Sequence, residues 1–166
     1  QANLITDNDQ GRRLVFSIIG ELRNAVTSAT GAYSIDTASD QQLIFFSNVD
    51  NDNNIERVRY YLSNGKMYRG VVDPTGSPPV YNTGSETSKV VQNNVANGGT
   101  VPLFYYYDDT YDGTTDNFLT QPVNVTNVRF VKLNVRIFNK AGVNKTAYYT
   151  VNAGVAIRNL KTNLGD

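Results

Sequence analysis

Gly11-Arg12-Arg13-Leu14-Val15-Phe16-Ser17-Ile18-Ile19-Gly20-Glu21-Leu22-Arg23-Asn24-Ala25-Val26 is the stretch on which the fold assignment hangs. Leu14, Val15, Ile18, Leu22 and Val26 recur at helical spacing and form one apolar stripe. Arg12, Arg13, Glu21, Arg23 and Asn24 fall mostly off it. Upstream, Leu4 and Ile5 prolong the apolar series, and Asp7 and Asp9 supply the acidic start that a helix N-terminus favours. Downstream, Ala29 keeps the period and Gly31 offers a terminator. The spacing predicts a helix from Asn3 or Asp9 to about Thr30, with Leu14, Val15, Ile18, Leu22 and Val26 as its core-packing face.

Beyond Gly31 the period changes to two and β-forming residues take over. Gln42–Ser47, Ile55–Leu62 and Lys66–Val72 read as strands, the last two joined by Ser63-Asn64-Gly65, since Asn-Gly tolerates the positive φ of a tight hairpin. Asp73–Gly84, with Pro74, Gly76, Pro78 and Pro79, reads as a loop holding at most one short extended piece. Ser88–Val95 is ambiguous, Asn97-Gly98-Gly99 is a turn, and Leu103–Tyr107 is an aromatic strand. Val125–Phe138 and Thr146–Ile157, around a turn at Lys140-Ala141-Gly142, give the cleanest alternation. A helix followed only by strands excludes βαβ units. The expected fold class is α+β: a long N-terminal helix (1–30) packed on an antiparallel β-sheet head (31–166), one domain throughout.

Composition narrows function. The 166 residues include neither Cys nor His, which removes thiolate metal sites and the commonest general base. Lys plus Arg equals Asp plus Glu at 15 each, so the basic excess of a nucleic-acid reader is missing. No run reaches the about 18–20 apolar residues of a membrane span. The expectation is a non-enzyme with no nucleic-acid partner and no small-molecule substrate. An uncharged polar surface rich in Asn, Thr, Ser and Gly fits an extracytoplasmic setting.

Four strings, in order along the chain, resemble the pilin superfamily, most of all the J-type minor pseudopilins of type II secretion and type IV pilus systems. They are Gly11–Ala25 with its Glu21-Leu22-Arg23-Asn24-Ala25 ending; Val58-Arg59-Tyr60-Tyr61-Leu62 followed by Asn64-Gly65-Lys66-Met67-Tyr68-Arg69; Phe104-Tyr105-Tyr106-Tyr107-Asp108; and Val128–Ile137 followed by Val155-Ala156-Ile157-Arg158-Asn159-Leu160. The resemblance implies a non-catalytic minor pilin or pseudopilin subunit that assembles into, or initiates, a filament by helix packing and head–head contacts with other pilin-like subunits. It implies an extracytoplasmic head, anchored in the cytoplasmic membrane before assembly through an apolar N-terminal half of the helix. That half is not among these residues, and Leu4 and Ile5 become the candidate assembly face.

Two acidic stretches and the tyrosines are the remaining candidates. Asp50-Asn51-Asp52-Asn53-Asn54-Ile55-Glu56 sets Asp50, Asp52 and Asn54 at the first, third and fifth places of a calcium loop, the clustered oxygens a hard cation takes. It lacks the glycine at the sixth place and the bidentate Glu at the twelfth, where Tyr61 stands, so a polar turn is the first reading and calcium the second. Asp108-Asp109-Thr110-Tyr111-Asp112-Gly113, with Asp116, is a second acidic loop: a turn is the first reading, and calcium binding or a carboxylate pair for glycoside chemistry in a secreted glycosidase are the remote alternatives, the carboxylates being crowded together. The Tyr105-Tyr106-Tyr107 run, with Tyr60, Tyr61, Tyr111, Tyr148 and Tyr149, supports an alternative function: a secreted or surface adhesin or carbohydrate-binding module built on Tyr-rich strands and acidic loops. Asn124-Val125-Thr126 and Asn144-Lys145-Thr146 match glycosylation sequons, matches that an Asn-rich chain generates freely.

Overall fold

The structure, a computed structural model, describes residues 2–139 and 147–158, with helix side chains from residue 9 onward. Helix α1 covers Ala2–Arg23. Its fully described part is about 15 residues long. It closes by the tighter i→i−3 pattern: the Asn24 and Ala25 amides donate to the Glu21 and Leu22 carbonyls at 3.1 and 3.0 Å. The Val26 amide then leaves the helix and donates to the Phe46 carbonyl at 2.9 Å. Ser47 Oγ donates to the Glu21 carbonyl at 3.1 Å, satisfying one of the acceptors that a helix end leaves open. Ser28 Oγ next takes the Thr30 and Ala32 amides at 3.2 and 2.9 Å. The run 26–32 is therefore a turn, with Gly31 at φ +86° inside it rather than capping the helix.

The strands are β1 (Ile35–Ala38), β2 (Gln42–Ser47), β3 (Glu56–Ser63), β4 (Lys66–Val72), β5 (Pro74–Thr75), β6 (Val80–Tyr81), β7 (Thr87–Gln92), β8 (Phe104–Tyr107), β9 (Phe130–Phe138) and β10 (Tyr148–Ala156). They form three antiparallel sheets: a five-stranded one ordered β1-β2-β3-β4-β7, a three-stranded one ordered β10-β9-β8, and a β5-β6 ribbon. Helix makes up 15 % of the structure and strand 41 %. The expectation of a long N-terminal helix laid on one β-sheet head is thus corrected twice. The helix is short, because Thr27, Ser28 and Thr30 bring hydroxyls that compete for backbone partners while the end of β2 offers others. The strands divide: the proline-bearing run Asp73–Gly84 folds back as a two-stranded ribbon of its own, and β8, β9 and β10 pair with one another rather than with the first sheet.

Asn97 pins the connection between β7 and β8 onto β9. Its Nδ2 donates to the carbonyls of Val101, Pro102 and Asn134, and its Oδ1 accepts from the Arg136 amide at 2.9 Å. Leu103 donates to Asp40 at 2.9 Å nearby, tying β8 to the turn between β1 and β2. The β3–β4 hairpin turns at Asn64 and Gly65, φ +50° and +72°, as Asn-Gly demands. One core joins the buried face of α1 to the inner faces of both sheets, including Leu43, Phe45, Val58, Tyr60, Leu133 and Ile137. The turn expected at Lys140-Ala141-Gly142, the sequon at Asn144, and Asn159 and Leu160 lie outside the described residues.

Candidate functional site

α1 lies chiefly against β10 and sends Leu14, Val15, Ile18, Ile19 and Leu22 into the core, where all are buried. Gly11 lets the helix approach the three-stranded sheet: a methyl there would stand 2.7 Å from Ile137 Cδ1 and 3.3 Å from Val151 Cγ2. Val26, expected on the same packing face, is 38 % exposed, because its amide has already joined Phe46 outside the helix. Leu4 and Ile5 fall on helix residues whose side chains lie outside the described set.

On the flank toward the five-stranded sheet the helix is held by charge. Glu21 accepts from the Tyr60 hydroxyl at 2.5 Å and from Arg69 Nη2 at 2.6 Å. Both ionic side chains are about four-fifths buried, at 19 % and 22 % exposure. Burial pushes the Tyr60 hydroxyl far above its ordinary value, and the Glu21 charge adds to it. For Arg69 burial acts downward, but the hydrogen bond and charge of Glu21 outweigh it and hold the guanidinium high. Beside this lock a cleft of about 760 Å³ opens, lined by Arg13, Ser17, Lys89 and Asn93 among others. Glu21 is engaged twice over, so the cleft presents cations and amides rather than a free carboxylate base.

On the other flank Arg12, Val15 and Phe16 face Thr150, Val151 and Asn152 of β10 across a shallow groove of about 490 Å³. Phe16 is 67 % exposed. On the outer face of the three-stranded sheet a second groove, also about 490 Å³, runs past Tyr105, Tyr111, Phe130, Lys132 and Asn134. Tyr111 packs on Tyr107 and Phe130 with ring centroids 4.0 and 4.9 Å apart. The tyrosine triplet splits as a strand must: Tyr106 turns inward and donates to the Ser39 carbonyl at 2.7 Å, while Tyr105 and Tyr107 take the outer face.

The second acidic loop spends its carboxylates on itself. Asp108 accepts from the Thr110 hydroxyl and amide, Asp112 from the Thr114 and Thr115 amides, and Asp116 from the Tyr107 hydroxyl at 2.9 Å. The Thr110 bonds hold Asp108 below the ordinary carboxylate range, and the Thr115 and Thr114 amides do the same for Asp112.

The first acidic loop differs. Asp50 Oδ1 accepts from the Asp52 amide at 3.1 Å, and Asp52 Oδ1 from the Asn54 amide at 2.6 Å. Asn54 Nδ2 donates to Asp52 Oδ2 at 2.9 Å and steadies that carboxylate. The third carboxylate beside Asp50 and Asp52 is Glu56, a carboxylate oxygen of each lying within 4.8 Å of the others. Sequence reasoning missed this role for Glu56. The available signal was its parity with Val58 and Tyr60, which puts a charge on the apolar face of β3.

Among the described residues no helix is long and apolar enough to cross a membrane. No family model matches the chain, and no curated protein matches it. The resemblance to J-type minor pseudopilins is accordingly corrected: a mainly β molecule with one short helix carries the four strings, and no family match supports them.

Proposed function

We propose that this chain is a non-catalytic assembly subunit that joins like chains through the outer flank of its N-terminal helix, outside the cytoplasm. The observation that carries the reading is Phe16. It stands 67 % exposed on a helix whose opposite face is buried, beside the groove shared with β10. β10 is also the outermost strand of its sheet, and outer strands are natural places for a second chain to add. The lock of Glu21 on Arg69 and Tyr60 supports the same reading, since it holds the helix rigidly to the body and lets a load on one reach the other.

Because the chain has no Cys, Phe16→Cys introduces a unique thiol. Under mild oxidation in cells making the protein, this variant gives disulfide-linked dimers. Thr115→Cys, on the exposed second acidic loop, does not. Equal cross-linking of both variants, or none of either, defeats the proposal. The aromatic groove around Tyr105, Tyr111 and Phe130 favours a second reading, a carbohydrate-binding surface. Glycan binding that is lost in Tyr111→Ala would put that reading first.

A further inference from the structure

We infer that Asp50, Asp52 and Glu56 form a calcium-binding site at the end of the five-stranded sheet. Clustered surface carboxylates alone would not carry this. The deciding feature is Glu56, the first residue of β3, which is only 1 % exposed. Its Oε2 accepts from the Val49 amide at 2.8 Å. Its Oε1 is buried and accepts no hydrogen bond among the described residues. A buried carboxylate oxygen without a donor costs free energy, and its near neighbours are acids rather than cations. Asp50, Asp52 and Asp73 are the charges that act on Glu56, and all three repel its ionised form. Burial pushes its carboxyl above the ordinary range first, and these neighbours push it further. A divalent cation bound among the three carboxylates gives the orphaned oxygen a partner and cancels the repulsion in one step.

The geometry is compatible with calcium. Calcium binds oxygens at about 2.3–2.6 Å, so two donors on opposite sides of one ion stand at most about 5 Å apart. The separations of up to 4.8 Å here fit that span. Magnesium, at about 2.0–2.1 Å with near-ideal octahedral demands, needs a tighter set. The loop is also held in advance. Asn48 Oδ1 accepts from the Asn51 amide at 2.8 Å, Asn48 Nδ2 donates to the Asp52 carbonyl, and Asn51 sits at φ +64° to tighten the turn. A carboxylate oxygen that already accepts one hydrogen bond retains a second lone pair, so the bonds to Asp50 and Asp52 do not exhaust them.

The test is thermal unfolding of the whole chain after chelator treatment, with calcium chloride or magnesium chloride added back. Three carboxylates on a short loop predict a dissociation constant of about 0.1–1 mM. At ten times that concentration calcium raises Tm by about 3–6 °C. Asp50→Asn and Asp52→Asn, both at exposed positions, lower the shift at least threefold while folding normally. No shift in the unaltered chain overturns the site. An equal shift in the variants places binding elsewhere and overturns it too, and an equal response to magnesium overturns the choice of ion.

Discussion

Glu56 and Glu86 are two carboxylates withdrawn from water on the same five-stranded sheet, and their surroundings are opposite. Glu86 crosses the outer face before β7, its side chain 12 % exposed, and takes Arg59 Nη2 and Nε at 2.7 and 2.9 Å. Arg57 stands behind at 3.9 Å. Arg59 is itself engaged on a third side by Gln42 Oε1 at 2.9 Å and lies 3.7 Å over the Tyr61 ring. Gly70 makes room for the pair, since a Cβ there would collide with the Glu86 carboxylate. Glu56, on the inner margin, has one amide donor and three acidic neighbours. The Arg59 hydrogen bonds hold the Glu86 carboxyl low, whereas burial pushes Glu56 high. Burial alone therefore says little about a carboxylate's task. The charges around it decide whether it is a structural fastener or a ligand in want of a cation.

The largest expected effect comes from breaking the satisfied member. Arg59→Met leaves Glu86 withdrawn from water with only Arg57 at a distance and lowers stability by about 2–3 kcal/mol, below the value for a fully buried pair because Arg59 is part-exposed. Urea unfolding measures it, and a loss under 0.5 kcal/mol would mean that the fastening is cosmetic. A smaller effect of opposite sign comes from Glu56→Gln. The glutamine's single side-chain oxygen can take the place of Oε2 and accept from the Val49 amide, the charge is gone, and calcium-free stability rises by about 1 kcal/mol. A fall instead would show that Glu56 is already satisfied and would collapse the contrast.

The smallest effect is in the pH profile. The folded Glu56 carboxyl holds its proton above the ordinary 4.5, so its unfavourable contribution stands above that raised value and is relieved as pH falls through it and past 4.5. Glu86 lies below 4.5 when folded, so its contribution is complete above 4.5 and is lost only as pH falls through its lower value. The gain from Glu56→Gln should thus be much reduced at pH 4.5 and vanish below it, while the loss from Arg59→Met shrinks only as pH falls through the lower folded value of Glu86. Melting curves of the three proteins across pH 3–7 separate the two windows, and coincident windows would erase the distinction.

Much of this was legible in the residues. The alternation through β3, β4, β9 and β10 and the Asn64-Gly65 turn stand where the pattern puts them, because local chemistry decides hairpins. The helix end was not legible. Val26 and Ala29 keep the helical period, and nothing nearby in sequence announces that Phe46 and Ser47 will claim that end. The acidic loop was half legible. Asp50 and Asp52 declare themselves by spacing, but Glu56 matters through burial and through the missing partner of one oxygen, and neither is a property of the string.

Residue order by itself established a chain of helix then strands, its hairpins, and a composition without Cys or His. Only the folded arrangement decided that the strands divide into separate sheets, that Asn97 pins the β7–β8 connection to β9, and that Glu56 and Glu86 meet opposite electrostatic fates. The reason is range. Turn propensity and periodicity act over a few residues, whereas desolvation and charge pairing depend on which distant side chains the fold delivers to the same few ångströms.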